Sequence, residues 1–165
     1  MNAYLDTHFD TVGLDTGLHR FTMPAWISRA PYEKLLGMEI LKAEAGEAIL
    51  QMPFVISLAQ GAGLMHGGAL VSLADTAIVM AIKSIVPPAT HFAHFATISM
   101  ENRFLHPVKQ GTVRAMARTA ERDGRILKGK CDLLDENDRI VMTFSSTNKI
   151  ARDAVIRDVR FGDVT

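Results

Sequence analysis

Residues 64–84, LMHGGALVSLADTAIVMAIKS, decide the fold of this chain. The glycine turn near the start of this stretch and the Pro87-Pro88 pair shortly after it predict a helix from Gly68 to about Ser84. That helix is apolar on nearly every face, and its one acidic residue is Asp75. A helix that is apolar all round must be surrounded by other elements. Because it is shorter than the roughly 20 residues of a membrane-spanning helix, we interpret it as a core helix.

Segments of strand length flank this helix in the sequence. Ala45-Gly46 separates two of them as a hairpin turn, and Asp123-Gly124 separates two others. One long helix among consecutive antiparallel strands predicts an α+β domain in which a curved sheet wraps a single helix. Such a short sheet leaves an open edge and some helix surface uncovered, so we expect pairing with a second copy. The predicted strands are Met38–Ala43, Glu47–Phe54, Phe95–Leu105, Thr112–Thr119, Ile126–Leu134 and Ile140–Asn148, preceded by a short helix over Pro31–Gly37.

The composition is typical of one globular domain and argues against several classes of protein. The chain has 165 residues, 48% of them hydrophobic and 22% charged. Because 18 basic residues balance 18 acidic ones, no net field would hold the protein on nucleic acid or on a membrane. Cys131 is the single cysteine, which excludes an internal disulfide and fits a reducing compartment. The first residues lack the apolar stretch of a signal peptide, so we expect a cytoplasmic protein.

Three segments of different character predict the domain organisation. Residues 1–28 show no clear periodicity and are interpreted as an N-terminal extension. Residues 29–150 contain the predicted helices and strands and form the predicted domain. Residues 151–165 are charged, and we expect them to form a peripheral C-terminal tail.

The glycine turn and its helix resemble the signature of a known enzyme family. In hotdog-fold thioesterases of the PaaI-like, phenylacetate-pathway type, a His-Gly-Gly turn precedes a helix that contains Leu-Ala-Asp, and here His66-Gly67-Gly68 precedes Leu73-Ala74-Asp75. Phe104-Leu105-His106-Pro107 resembles the family's aromatic-x-x-Pro turn, and Asp123-Gly124-Arg125 resembles its Gly-Arg hairpin. The likeness covers about residues 30–149 and implies a hotdog fold, acyl-CoA thioesterase activity and a site shared between two subunits.

The residue types of the glycine turn suit this chemistry on physical grounds. Glycines at positions 67 and 68 let the backbone approach a ligand closely, and a helix that begins there directs unpaired N–H groups toward it. In thioester hydrolysis the carbonyl oxygen becomes negative, and one preorganised donor contributes about 3 kcal/mol. The resemblance assigns this donor to the Gly67 amide, and we expect Gly68 to help bind the substrate.

Asp75 is the predicted base or nucleophile. It lies about two helical turns after the glycine turn, and a carboxylate on so apolar a helix is costly unless it is paired, solvated or used. Desolvation would raise its pKa and strengthen it as a base. The resemblance implies that Asp75 attacks the thioester carbon itself or activates water to do so. A hydrogen-bonded structural role is the alternative.

Three further residues are candidate members of the site. His66 is interpreted chiefly as a residue that fixes the glycine turn by hydrogen bonds, and acid–base chemistry is the alternative. Gln60 stands where related enzymes often carry an Asn that positions the thioester or the water, and its amide can make the same hydrogen bonds. Thr97 falls where some relatives place a hydroxyl that orients the attacking water. Its strand propensity is an equally good explanation.

Coenzyme A carries phosphates, so we expect cations near the site. The candidates are Arg103, Arg125 and Lys128, with Arg125 favoured because it follows the hairpin glycine, and a solvated surface charge is the alternative for each. No metal or redox cofactor is expected. His91 and His94 have a spacing that suits a metal, but no acidic or cysteine ligand lies close to them in sequence.

Together these features predict a homo-oligomer, dimeric or tetrameric, that hydrolyses an acyl-CoA to the free acid and coenzyme A. An acyl-CoA hydratase or dehydratase on the same fold is less favoured, because no Asp-x-x-x-x-His motif of those enzymes lies near the helix. A non-catalytic acyl-CoA-binding protein is the second alternative, and Gln60 in place of the family's Asn is its only hint.

Overall fold

The computed structural model describes residues 31–86 and 95–150, which contain all six predicted strands and the central helix. The predicted extension, residues 1–28, and the predicted tail, residues 151–165, lie outside the described residues, as do His91 and His94. The domain boundaries therefore stay a prediction. The elements are α1 (Pro31–Leu35), β1 (Glu39–Glu44), β2 (Glu47–Pro53), a 3-10 turn (Ile56–Leu58), α2 (Gly67–Lys83), β3 (Phe95–Phe104), β4 (Thr112–Asp123), β5 (Ile126–Leu134) and β6 (Ile140–Ile150).

The strands form a single antiparallel sheet in the order β1-β2-β4-β5-β6-β3. Strands joined by short turns lie side by side, whereas β3 pairs with β6 and forms the far edge. The long helix α2 packs against one face of the sheet, mainly on β2, β4 and β5. A sheet that wraps one helix in this way is the hotdog fold, so the predicted fold class is confirmed.

The hairpin turns lie where the sequence predicts them. Ala45 and Gly46 both have positive φ, at 50° and 86°, which is the conformation of the tight turns that match the twist of paired strands. Gly124, at φ 55°, has the same role between β4 and β5. Strand β4 continues beyond its predicted end at Thr119, because a bulge after that residue lets the pairing with β5 resume.

The core lies between the sheet and α2, and one glycine sets how closely they approach. Leu127, Gly129 and Cys131 are buried at alternating positions of β5, as expected for the face that points to the core. A Cβ atom at Gly129 would overlap the side chain of Ile78 on α2. The missing side chain therefore permits the close contact between helix and sheet.

Helix α2 is not enclosed on every side within this chain, as expected for a sheet too short to cover the whole helix. Val71, Asp75 and Val79 are only half-buried, and their spacing of four residues places them on one face of the helix. We call these three residues the open stripe. The stripe exists because β3, at the edge of the sheet, makes few contacts with α2. Within the described ranges, no helix combines the length and apolarity that crossing a membrane requires.

The edge strand β3 exposes apolar side chains. Ile98 is 56% exposed, Met100 is 47% exposed and Phe104 is 55% exposed. An unpaired strand edge with adjoining apolar surface is a common site of association. Pairing with a second copy stays a prediction.

Candidate active site

The glycine turn forms the first residues of α2, and the side chain of His66 caps it. His66 has extended backbone angles, and its Nδ1 accepts a hydrogen bond from the Gly68 N–H at 2.9 Å. Its backbone N–H donates to the Leu58 carbonyl at 2.8 Å, and its carbonyl oxygen accepts the Ala69 N–H at 2.9 Å. These contacts give His66 the structural role that the sequence favours. They also mean that the Gly68 N–H is occupied within its own chain.

The Gly67 N–H is the donor of the glycine turn that stays unpaired among the described residues. Gly67 is the first residue of α2, so its N–H has no acceptor within the helix, and no other acceptor lies among the described residues. A Cβ atom at this position would lie 3.0 Å from Cζ and 3.1 Å from Cε1 of Phe104. The unpaired amide therefore lies at the helix N-terminus beside a half-exposed aromatic ring.

Asp75 lies in the middle of the open stripe and contacts β3. Thr97 Oγ1 donates a hydrogen bond to Asp75 Oδ1 at 3.0 Å. Burial raises the pKa of the Asp75 carboxyl, and the hydrogen bond from Thr97 offsets part of that increase. The carboxylate is thus partly desolvated, accepts one hydrogen bond from Thr97 and is partly exposed on the open stripe. A group in this state is a stronger base than a solvated aspartate.

Sequence analysis did not identify the residues behind Thr97. Thr97 pairs with Asn148 in the sheet, and Thr97 Oγ1 lies 3.1 Å from Asn148 Oδ1. Asn148 is fully buried, and its Nδ2 donates to Oγ of Ser146, which is also buried, at 2.8 Å. The available signal was a run of inward-facing positions on β6 in which polar residues replace apolar ones. Only the pairing register of β6 with β3 shows that Asn148 lies beside Thr97.

Gln60 lies in the loop that leads to α2. Its Oε1 accepts a hydrogen bond from the Ala62 N–H at 2.5 Å. Its backbone N–H donates to the Leu64 carbonyl, and its own carbonyl accepts the Gly63 N–H, both at 2.8 Å. The side-chain oxygen therefore stabilises the local turn, and the Nε2 group is the part that can serve a ligand.

The three predicted phosphate ligands lie away from Gly67 and Asp75 of the same chain. Arg103 and Lys128 occupy outward-facing positions of the sheet, opposite α2, where they pair with Glu101 at 3.9 Å and Glu121 at 2.7 Å. Arg125 is half-buried beside the β4–β5 turn, with Nη1 3.5 Å from the Ile150 carbonyl. The structure does not bring these cations to the helix N-terminus of their own chain.

Lys83 is a buried cation that sequence analysis missed. It lies two helical turns beyond Asp75, and its Nζ is 5.8 Å from the centre of the Phe95 ring. Burial lowers its pKa to about 7. The sequence pattern that could have identified Lys83 is a single basic residue near the end of an apolar helix. In the part of the chain that the structure describes, no three His, Cys, Asp or Glu side chains are grouped to hold a metal.

The chain is similar to proteins with a described activity. Residues 62–142 match the family model described as the thioesterase superfamily. A protein of Bacillus subtilis (strain 168) named "Putative esterase ComA2" is 28% identical over 106 residues, which are 64% of this chain and 82% of that protein. These matches support a thioesterase activity, and so a hydrolase, in general terms.

Solved structures share the fold. A conserved protein from Pseudomonas aeruginosa has a TM-score of 0.67 at 26% identity, over 74% of this chain and 94% of that chain. The PaaI protein from the phenylacetic acid degradation operon of E. coli has a TM-score of 0.68 at 22% identity, over 77% and 88%. A thioesterase from Haemophilus influenzae has a TM-score of 0.66 at 21% identity, over 76% and 86%. With the family match, these likenesses confirm the resemblance to hotdog-fold thioesterases.

Proposed function

We propose that this chain is a hotdog-fold thioesterase that hydrolyses an acyl-CoA to a free carboxylic acid and coenzyme A. In this mechanism the Gly67 N–H binds the thioester carbonyl oxygen, and Asp75 attacks the carbonyl carbon or activates a water molecule to do so. One observation carries the proposal: an unpaired helix-terminal amide and a desolvated carboxylate held by Thr97 occur on the same helix. The donor supplies charge stabilisation and the carboxylate supplies the base.

The spacing of these two groups supports a site built from two subunits. Asp75 follows Gly67 by eight residues, so at 1.5 Å per residue the two lie about 12 Å apart along the helix axis. A carbonyl carbon and its oxygen are only about 1.2 Å apart. A thioester bound to the Gly67 N–H therefore lies beyond direct attack by Asp75 of the same chain. We infer that Gly67 of one subunit faces Asp75 of a second copy.

The edge strand supplies a surface for that second copy. Ile98, Met100 and Phe104 of β3 are about half-exposed, and Phe104 lies against Gly67. Covering this surface would remove an open strand edge and apolar area from water. It would also bring a second α2 toward the glycine turn. The proposed oligomer, a dimer or a tetramer of such dimers, therefore follows from the same requirement as the site.

The two halves of the substrate call for different surroundings. The acyl group would lie along apolar side chains such as Val71 and Val79 of the open stripe, with Leu64 and Met65 close to the glycine turn in sequence. The coenzyme A phosphates need cations. Arg103 and Lys128 face away from Asp75 of their own chain, so they can serve only a site to which another subunit contributes the catalytic groups.

A panel of acyl-CoA esters tests the proposed function. Short aliphatic, long aliphatic and aromatic acyl-CoAs are each mixed with the protein and a chromogenic thiol reagent, and the acid is identified by mass spectrometry. The chain suits this assay, because its one cysteine, Cys131, is buried and burial raises the pKa of its thiol, so it reacts slowly. We expect equal amounts of coenzyme A and acid from at least one ester.

Other outcomes of the panel identify the alternatives. Binding of an acyl-CoA without release of thiol would indicate a non-catalytic binding protein. An unsaturated acyl-CoA is included in the panel, and its conversion to a product that is heavier by one water and retains the thioester would indicate a hydratase. Either result would contradict the proposal.

A further inference from the structure

The hydroxyl of Thr97 lies between two oxygen atoms. Thr97 Oγ1 is 3.0 Å from Asp75 Oδ1 and 3.1 Å from Asn148 Oδ1. A hydroxyl carries one proton, so it cannot donate to both oxygens at once. If Asp75 is ionised it must receive that proton, and Asn148 must then offer a donor to Thr97 instead of an acceptor.

The Asn148 side chain is able to do this. A half-turn of its amide exchanges Oδ1 and Nδ2 without moving any other atom. Nδ2 then donates to Thr97 Oγ1, and Ser146 Oγ, 2.8 Å from the amide, donates to Oδ1. The hydrogen bonds then run in one direction, from Ser146 through Asn148 and Thr97 to the ionised Asp75.

The opposite direction suits a protonated Asp75. The carboxyl then donates to Thr97 Oγ1, Thr97 donates to Asn148 Oδ1, and Asn148 Nδ2 donates to Ser146. In the general-base route Asp75 takes a proton from the water whose oxygen bonds the thioester carbon, and gives that proton to the departing thiolate. The carboxyl thus passes through both states in one turnover, and the same four side chains satisfy each.

We propose that Asn148 is a positioning residue for Asp75 that acts through Thr97, with an amide that supports both protonation states of the carboxyl. The inference rests on the proposed function of Asp75. The geometry explains why an amide side chain occupies a fully buried position of β6. An Asp side chain at position 148 would chiefly accept hydrogen bonds, and a Leu side chain would neither donate nor accept one. The other titratable or charged groups on α2, its cap, β3 and β6 are His66, Lys83, Glu101, Arg103 and Lys149.

Two substitutions of Asn148 separate positioning from packing. Asn148→Leu removes the donor to Thr97 but leaves Thr97 free to bond Asp75. We expect kcat to fall about tenfold, KM to stay within about twofold and the acid limb of the kcat/KM profile to keep its position. Asn148→Asp attracts the Thr97 proton and repels the Asp75 charge. We expect its acid limb to move to higher pH by about one unit or more.

Matched variants complete the experiment. Thr97→Ser keeps the hydroxyl and should restore most of the activity that Thr97→Val loses. Thr147→Val is the control, because Thr147 is the neighbour of Asn148 on β6 and faces the other side of the sheet. If neither Asn148 variant folds, Ser146→Ala decides the question, since it removes the outermost member of the network. Its acid limb should shift less than that of Thr97→Val.

The outcomes distinguish this inference from the proposed function. Asn148 variants, or Ser146→Ala when those fail to fold, with wild-type kcat and an unmoved acid limb would overturn the inference if Asp75→Asn is inactive. An active Asp75→Asn variant would overturn the proposed function and, with it, this inference. A lower melting temperature without any change in kcat or in the pH profile would show that Asn148 serves stability alone, and would also overturn the inference.

Discussion

Oγ1 of Thr97 lies 3.0 Å from Oδ1 of Asp75, so a strand at the edge of the sheet holds the carboxylate of the central helix. This one donor does not compensate for burial, because the pKa of Asp75 stays above its ordinary value. The protein thus keeps a partly desolvated charge beside its core. Such a group is costly for folding and useful for catalysis.

The first prediction concerns stability. The folded-state pKa of Asp75 is raised above its unfolded value, near 3.8, so Asp75 favours the folded state at low pH and loses that contribution as pH rises through the folded pKa. Asp75→Asn should therefore have a higher melting temperature than the wild type at pH 7. The difference should shrink as the pH approaches 4. Thermal unfolding of both proteins at several pH values checks this, and an Asn variant less stable at pH 7 would contradict it.

The second prediction separates the two roles considered for His66. Asn at position 66 places Oδ1 where His66 Nδ1 accepts the Gly68 N–H, whereas Ala provides no acceptor. His66→Ala should lose about 1 kcal/mol of unfolding free energy, and His66→Asn should keep most of it. Turnover of His66→Asn should stay within about threefold of wild type. A loss of about a hundredfold or more in this variant would instead indicate acid–base chemistry by His66.

The third prediction tests the Gly67 N–H by removing it. Proline is tolerated at the first position of a helix, and His66 has φ −65° and ψ 133°, which a residue before proline can adopt. Gly67→Pro therefore deletes the donor while preserving the helix. Gly67→Ala is the matched control, since it keeps the N–H and adds the same contact with Phe104. We expect kcat of Gly67→Pro to be about a hundredfold below that of Gly67→Ala. Equal rates would remove Gly67 from the mechanism.

The fourth prediction tests the shared site by complementation. Asp75→Asn and Gly67→Pro are each expected to be inactive as homo-oligomers. When the two are co-expressed with different tags, a mixed pair has one site that combines the intact Gly67 of one chain with Asp75 of the other. With random pairing, about one quarter of wild-type activity should return. A site contained within one chain would give no recovery, and tag-purified mixed pairs settle which of the two occurs.

The sequence was sufficient for the fold because its signals are local. The apolar helix, the Ala45-Gly46 turn and the Asp123-Gly124 turn each lie within a few residues of what they determine. The glycine turn and Asp75 were found in the same way. Uncovered helix surface was expected, but the residues of the open stripe were not predicted, because they depend on how far β3 lies from α2.

The residues around Asp75 depend on distant pairing that no local pattern contains. A bulge after Thr97 changes the alternation of β3, so the side of the sheet that Thr97 faces could not be read from its spacing. Asn148 lies 51 positions further along the chain and meets Thr97 only through the strand register. The placement of Arg103 and Lys128 on the outer face likewise depends on strand register and not on a local sequence pattern.

The rate of coenzyme A release by Asp75→Asn, measured on the acyl-CoA that the wild type hydrolyses fastest, tests the role of Asp75 most directly. Asn has nearly the same shape as Asp and can still pair with Thr97, so the variant should fold. We predict a rate at least about a thousandfold lower, with a melting temperature at pH 7 equal to or above that of the wild type. Unchanged turnover in a folded Asp75→Asn variant would contradict the proposal that Asp75 carries the reaction.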